Sequence, residues 1–569
     1  MSDRNQTSMF GLCEAIMEED SNEEEVSLDS DEEDDNLSIR SANTDTEQEL
    51  SDEEESIHQE QEKEESCCIG KDGQTTWYSD PEQVKITPRS NKPIIPGVKP
   101  YARKAKSELE CWNLFITNDM MQEILKHSNA EINSRTLSEA HLTRLHVYKE
   151  MTMDELMAVF GLMYIAGLNN TKGNNLTDLW RSDGTGVDIF RMTMSLQRFN
   201  FLQSCLRFDD VATANLRSNL DNISPIRSLF DQFTTNCQKS YKPSECLTID
   251  ERYLKFRGKC SFRKYMPNTS AAYGIKMYAL VDPKEFFTVN LEIHAGKQPE
   301  GPFSVSNNPF DVVDRLVAPI SKTNRNVTVD NRFTSVPLAQ HLLSEHGLTI
   351  TGAMRKSKEE VPQQFKNVRR RAVNSAQFGF HDDLTLVSYV PKKNNFVLLL
   401  SSLHHDKSLD AKGEKPEIVS YYNSTKNGVE VVDKLCATYD VRICCKRWPM
   451  LILFTMMNIA AINAVIVYRE NNKSKVRRSE FIRLLGLALL NQHLIVRKNK
   501  DNLPRELRKR IYEQMGETLQ YPPKSNVTTY KRCRDCPSSK DRKTKYTCIE
   551  CQKPICLQHV VVTCQNCSC

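Results

Sequence analysis

The chain has 569 residues, 39% of them hydrophobic, which is enough for a sizeable core and long enough for several domains. Its net charge of +1 hides a split. Residues 1–66 hold 25 Asp/Glu against 3 Lys/Arg, or −22, and the remainder holds 73 basic against 50 acidic residues, or +23. Eight of the 19 cysteines fall in the last 37 residues and the others are scattered, which argues against a small secreted disulfide scaffold. The opening Met1-Ser-Asp-Arg4 has no apolar run behind it, so no signal peptide is expected, and a reduced intracellular compartment follows.

Residues 1–100 read as a disordered acidic region. Runs such as Ser30-Asp-Glu-Glu-Asp-Asp35 and Ser51-Asp-Glu-Glu-Glu55 bury nothing and repel each other. A solvating tail is the favoured reading over a DNA mimic or phosphorylation sites at Ser27, Ser30 and Ser51. Residues 101–244 have a helical period, with segments near Trp112–Leu125, Met153–Gly167 and Leu196–Leu206.

From 245 to 356 the period changes to strands. Leu247–Phe256, Tyr273–Val281 and Phe286–His294 suit a meander. A helix at Asp311–Val317, a strand at Val327–Val329, a helix at Pro337–His346 and a strand at Leu348–Thr351 follow. This order resembles an RNase H-like α/β core. Residues 357–416 read as an insertion, basic at Lys366 and Arg369-Arg-Arg371, with strands at Leu384–Tyr389 and Phe396–Leu400. The core resumes over 417–440, and helices occupy 441–520. Trp448–Tyr468 is long enough to span a membrane. It carries Asn458 and Asn463, and we read it as a buried core helix.

The chemistry centres on Leu247-Thr-Ile-Asp-Glu-Arg-Tyr-Leu-Lys-Phe-Arg-Gly-Lys259. Asp250 lies inside a half-buried strand, where a carboxylate is costly unless hydrogen-bonded or holding a metal. Bases follow at once, and an acid for a cation beside bases for phosphate points to phosphodiester chemistry. Asp330 stands likewise after Val327–Val329. Glu430 and Asp433 share one face of a helix opened by Asn427-Gly428. Two strand acids and a helix acid can hold two divalent cations about 4 Å apart around one scissile phosphate.

The last segment, 530–569, carries Cys533-x2-Cys536, Cys548-x2-Cys551, Cys556-x2-His559 and Cys564-x2-Cys567. Four such pairs suffice for two tetrahedral Zn²⁺ sites. Spacing alone leaves open whether consecutive or alternate pairs share an ion. The segment is basic, with 8 Lys/Arg against 3 Asp/Glu across 531–569. The remaining histidines read as surface or core residues, and the adjacent His404 and His405 lack a third partner.

The words LTIDERYLKFRGKCSFRKYMPN, YGIKMY, VDNRFTSVPLA, LTITGAMRKSKEEVP, LTLVSYVPK, YYNSTKNGVEVVDKL and KRWPM occur in this order. Through them the chain, from about Trp112 to its end, resembles a piggyBac-type DNA transposase. The resemblance implies an RNase H-like catalytic core inserted in an all-α dimerisation and DNA-binding domain, with a cross-braced zinc domain. In the brace Cys533, Cys536, Cys556 and His559 share one zinc, and Cys548, Cys551, Cys564 and Cys567 the other. It implies Asp250, Asp330 and Glu430 as Mg²⁺ ligands, with Asp433 assisting. The family's third acid is usually an Asp in a GGVD word, where this chain has Asn427-Gly-Val-Glu430. The activity implied is nicking of the transposon end, hairpin formation and reopening, and joining to a TTAA target. Partners would be double-stranded DNA, terminal repeats and target, and a second copy of the chain, with no membrane. The compartment would be the nucleus. Arg257, Lys259, Arg263 and Lys264 are candidates for the transposon end, and Arg355 and Lys358 for target DNA. Trp448 could stack on a base or simply pack in the core. Two other readings stay open: a domesticated DNA-binding protein, and a zinc-dependent protein-interaction factor.

Overall fold

A computed structural model describes residues 48–49, 66–86, 94–138, 145–169, 176–265, 273–443, 445–500, 503–517, 530–548 and 553–560. The chain divides into two compact units, 1–493 and 494–569.

In the first unit the helices α1 (Glu108–Asn113), α2 (Asn118–Ser138), α3 (Met153–Leu168), α4 (Leu196–Cys205) and α5 (Ser224–Ser240) come first. Local chemistry starts them. Ser107 and Glu110 exchange side-chain and backbone bonds in a capping box on α1. Thr152 and Ser195 cap α3 and α4. The helices are then joined through buried polar groups. The Trp112 indole donates to Tyr164 Oη at 2.7 Å, and Tyr164 donates to the Met457 carbonyl at 2.8 Å. Arg198 and Glu155, both buried, pair at 2.7 Å, and the guanidinium also donates to the carbonyls of Val147, Lys149 and Glu150. That full set of partners lets a buried charge pair persist.

The core strands are β1 (Cys246–Lys255), β2 (Tyr273–Val281), β3 (Thr288–Ile293), β4 (Asn326–Val329) and β5 (Thr349–Ala353). Helix α6 (Pro309–Val317) precedes β4, and α7 (Val336–Ser344) links β4 to β5. The sheet order is β3-β2-β1-β4-β5, with β1 to β3 antiparallel and β4 parallel to both β1 and β5. β4 and β5 are buried along their whole length and, apart from Asn326 and Gly352, consist of β-branched and small aliphatic residues, as suits strands covered on both faces.

The stretch read as an insertion does not form a body of its own. Its strands β6 (Ala376–His381), β7 (Leu384–Lys392) and β8 (Asn395–Ser401) extend the core sheet, β8 pairing antiparallel with β5. The disorder expected through residue 100 is corrected for part of that range. Cys67–Ile69 and Thr76–Tyr78 form a hairpin that adds to the β6 edge, and Gln48–Glu49 pairs with β8. The hairpin is anchored by Trp77, which is 1% exposed and donates to the Glu360 carbonyl. A buried indole supplies a large apolar contact that the acidic composition upstream does not announce.

After β8 come α8 (Glu417–Thr425), α9 (Gly428–Thr438), α10 (Trp448–Asn472) and α11 (Arg478–Lys498), the last running into the second unit. Helix α10 is the stretch of membrane-spanning length, and 94% of its most apolar window is buried within the protein. Asn458 and Asn463, within its apolar stretch, are both bonded within the fold. Asn463 holds both backbone groups of Thr288 at the start of β3, and Asn458 bridges Val441 N–H and Asp440. A polar side chain fits mid-helix when its bonds are met in this way.

The second unit contains Arg505–Gln514, a helix, and a short hairpin of Lys531–Arg532 with Lys543–Thr544.

Candidate active site and zinc module

Register places the acids. Val329 pairs with Ile249 in the parallel β4–β1 ladder, so Asp330 follows β4 beside Asp250. Helix α9 is brought onto this edge by close packing. A Cβ on Gly428 would lie 3.1 Å from Thr248 Oγ1 and 3.2 Å from Pro283, so a larger residue would have to push these neighbours back by a few tenths of an ångström. The Thr248 hydroxyl donates to the Thr425 carbonyl, and the Thr328 and Thr425 hydroxyls are 2.7 Å apart. The end of α8 is thereby tied to both acid-bearing strands.

Burial pushes the Asp250 carboxyl up to about 7, the neighbouring Asp330, Glu251 and Asp433 charges add to this, and a 2.7 Å bond from the Glu251 N–H opposes it. Carboxylates crowded in this way favour a divalent cation and are the right donor type for one, although among the described residues no three of these acids bring their oxygens within 4.8 Å of one another. The two helix acids differ in placement. Asp433 lies near enough for its charge to act on Asp250, and it accepts from buried Arg252 on β1. Packing raises its pKa, and Arg252 works against that rise. Glu430 pairs with Lys434 at 2.9 Å and is half-exposed. Its field reaches Asp433, whereas Asp433 is the helix acid felt by Asp250.

On the opposite face of β1, Glu251 gathers Lys276, Arg332 and the Tyr253 hydroxyl. Among the basic candidates, Arg257, Lys259 and Lys264 are exposed. Arg263 braces its own loop, donating to the carbonyls of Arg257 and Gly258 and lying 4.4 Å over the Tyr273 ring. Arg355 is exposed and donates to Asn331, next to Asp330, and Lys358 is half-buried. Trp448 is half-buried and meets Phe262 edge-on at 5.1 Å, which favours the packing reading. Sequence reasoning missed Tyr253, Tyr265 and Tyr273, exposed by 41%, 63% and 41% on β1, β2 and their neighbouring edge. Their outward positions in alternating strands were the signal that marks them.

At the zinc module, Cys533, Cys536, Cys556 and His559 bring their donor atoms within 4.8 Å of one another. His559 Nδ1 is 3.6 Å from Cys533 Sγ, 3.7 Å from Cys536 Sγ and 3.5 Å from Cys556 Sγ. The Cys556 N–H donates to Cys533 Sγ, a bond suited to a thiolate. The first and third pairs are thus the ones brought together, the combination the brace calls for, and they could hold one ion. Cys551, Cys564 and Cys567, of the second predicted centre, lie outside the described residues.

His404 is half-buried. It bonds Ser401 Oγ through Nδ1 and stands edge-on to Tyr421, and burial lowers its pKa to about 4.

A mixed sheet in this order, with acids at the ends of adjacent parallel strands and on a following helix, fits an RNase H-like core. The transposase IS4 family model matches residues 107–465, and the chain belongs to that family, within it to the piggyBac type. It is 34% identical to the protein in a cryo-EM structure of a piggyBac transposase synaptic complex with hairpin DNA. That likeness has a TM-score of 0.73 and covers 83% of this chain and 100% of the other. It is also 21% identical over 409 residues to the human PiggyBac transposable element-derived protein 3 and to the human chimeric ERCC6-PGBD3 protein. Both matches cover 68% of this chain, but only 65% and 37% of those proteins, so it spans less than two thirds of either relative.

Proposed function

We propose that this chain is a DNA transposase that cuts and rejoins phosphodiesters at transposon ends, forms hairpin ends, and integrates at TTAA sites. The observation that carries the reading is the register of the β1–β4 ladder, whose last pair, Ile249 with Val329, leaves Asp250 and Asp330 next along adjacent strands, with the start of α9 packed against Thr248. Asp250, Asp330 and Glu430 are the proposed ligands of Mg²⁺, with Asp433 beside them. The bound cations would supply charge neutralisation at the phosphate and a lowered pKa for the attacking group. In the first step a water oxygen attacks phosphorus and the 3′ oxygen leaves. In the second, that 3′-OH attacks the opposite strand, one P–O bond forming as another breaks.

Exposed Arg257, Lys259 and Lys264, with Tyr265 and Tyr273 beside them at 5.3 Å between rings, would follow the transposon end. Arg355 and Lys358 would meet the target. The zinc module, loaded with two Zn²⁺, would bind end DNA. The active form would be a homodimer in the nucleus. The solved relative, described as a synaptic complex with hairpin DNA, supports the hairpin reading.

A domesticated DNA-binding role is the second reading. It is favoured by one observation: both helix acids are already paired, Glu430 with Lys434 and Asp433 with Arg252. The deciding experiment measures excision of a donor flanked by the element's own ends. Asp250→Asn and Asp330→Asn should abolish cleavage and leave end binding largely intact. Near wild-type nicking by either variant would overturn the site assignment, and a wild-type protein that binds but never nicks would establish the second reading.

A further inference from the structure

Among the described residues, one further group of side chains converges as metal ligands do: Asp314, His341 and His346. They lie outside both sites above. Asp314 is on α6, His341 on α7, and His346 in the turn that enters β5. Both imidazoles present the same nitrogen to the same oxygen. Asp314 Oδ1 is 2.6 Å from His341 Nε2 and 2.8 Å from His346 Nε2. The rings stand edge-on, 5.5 Å between centroids, and Phe310 packs on His341 at 4.8 Å.

Three donors around a tetrahedral ion with bonds of about 2.0 Å sit about 3.3 Å from one another. The two contacts need open by about 0.5–0.7 Å to admit the ion. One ligand is already oriented for it. His346 Nδ1 lies 3.0 Å from Ser321 Oγ, so the proton can reside on Nδ1 and leave the Nε2 lone pair for a metal. Solvent reaches the group, since the Asp314, His341 and His346 side chains are 40%, 29% and 15% exposed. That gives an ion a way in and leaves room for water as a fourth ligand. A simple hydrogen-bonded trio would account for the Nε2 contacts, but it needs neither the common oxygen nor a partner for Nδ1.

We propose that Asp314, His341 and His346 form a binding site for a divalent cation of the zinc class, separate from the acid site and from the cysteine module. Two imidazoles and one carboxylate select Zn²⁺ and its neighbours over Mg²⁺ and Ca²⁺. The ion would join α6 to α7, and α7 begins six residues after Asp330. Its role would be to fix the helix that follows the catalytic strand.

The test uses the full chain and Zn²⁺ as the probe. Elemental analysis after dialysis against limiting zinc should find one ion fewer per chain in the His341→Gln/His346→Gln double variant than in the wild type. The cysteine module is common to both proteins, so its own zinc content cancels from the difference. Equal zinc content in the two folded proteins overturns the proposal. Should the variant fail to fold, wild-type crystals soaked in Zn²⁺ decide. An anomalous peak within bonding distance of Asp314 Oδ1, His341 Nε2 and His346 Nε2 is expected, and its absence from that position overturns the site.

Discussion

Arg252, 2% exposed on β1, turns its Nε to Asp433 on α9, two residues along the strand from Asp250. Its Nη2 lies 3.5 Å from Cys436 Sγ, and Nη1 is buried without a hydrogen-bond partner among the described residues. A buried guanidinium with an unmet donor is expensive to maintain. It sits within the same cluster as the acids, where it offsets one negative charge of four. The pair also pins α9 to the strand that carries Asp250.

Replacing Arg252 by Leu should therefore do two things. Asp433 would lose its partner but remain 40% exposed, so the loss of stability should be about 1–3 kcal/mol, below that of a fully buried pair. The unopposed Asp433 charge should also raise the Asp250 carboxyl further. Urea unfolding checks the first effect. A variant as stable as wild type would show that the pair contributes nothing net.

The raised Asp250 carboxyl makes a pH prediction for the cation-free protein. Its folded pKa of about 7 lies above the ordinary carboxylate value, so between about 4 and 7 the folded state binds more protons than the unfolded state. Stability then falls as pH rises through that window and levels off above it. Asp250→Asn removes the titration. The variant's stability advantage should grow from pH 5 to pH 8, to the order of 1 kcal/mol or more. Added Mg²⁺ should stabilise the wild type and shrink the gap. Thermal melts across that range, with and without Mg²⁺, check both. A gap that does not change with pH would mean that Asp250 is ionised throughout.

The acids of the strands were legible in the sequence because a carboxylate in a β-branched run is an anomaly at a single position. The strands themselves were legible for the same local reason, and Tyr273–Val281 was read to the residue. What could not be read was which distant segments pair. Nothing local in Cys67–Ile69 or Thr76–Tyr78 announces a partner at Phe380, some 300 positions on, and Trp77 alone hints at burial. The His341–Asp314–His346 group was missed likewise, because α6 and α7 meet only in the folded chain. The ranking of Glu430 above Asp433 came from resemblance, and the neighbours each acid acquires are a matter of helix docking.

Glu430→Asp tests that ranking. Shortening the side chain by one methylene should weaken the 2.9 Å pair with Lys434, an exposed i,i+4 contact of about 0.3–0.5 kcal/mol, so folding should hardly change. Activity should be kept or increased, since an Asp is the usual residue of the family word. Asp433→Asn should be the more damaging change, because Asp433 is the helix acid whose charge acts on Asp250. Nicking rates of the two variants on one end substrate give the comparison. Full loss in Glu430→Asp beside a tolerant Asp433→Asn would reverse the assignment and show that the local backbone is built around Glu.

The acidic segment supplies the last prediction. Residues 1–66 carry −22 against +23 on the remainder. One point of that segment is fixed beside a proposed DNA surface. Gln48 Oε1 accepts from the Lys356 N–H at 2.7 Å, and Nε2 donates to the Met354 carbonyl at 2.9 Å, flanking Arg355. Gln48–Glu49 adds as a strand to Asn395–Phe396. An acidic chain tethered there competes with DNA at high effective concentration. Removing residues 1–65 leaves the Cys67–Ile69 strand in place and should tighten non-specific DNA binding, on the order of tenfold at low salt. The gain should shrink as salt rises, because tail and DNA both act through screened charge. A salt titration of DNA affinity for the full-length and shortened proteins measures it. Equal affinities at low salt would leave the segment as a solvating tail whose single strand contact serves the fold and not the DNA surface.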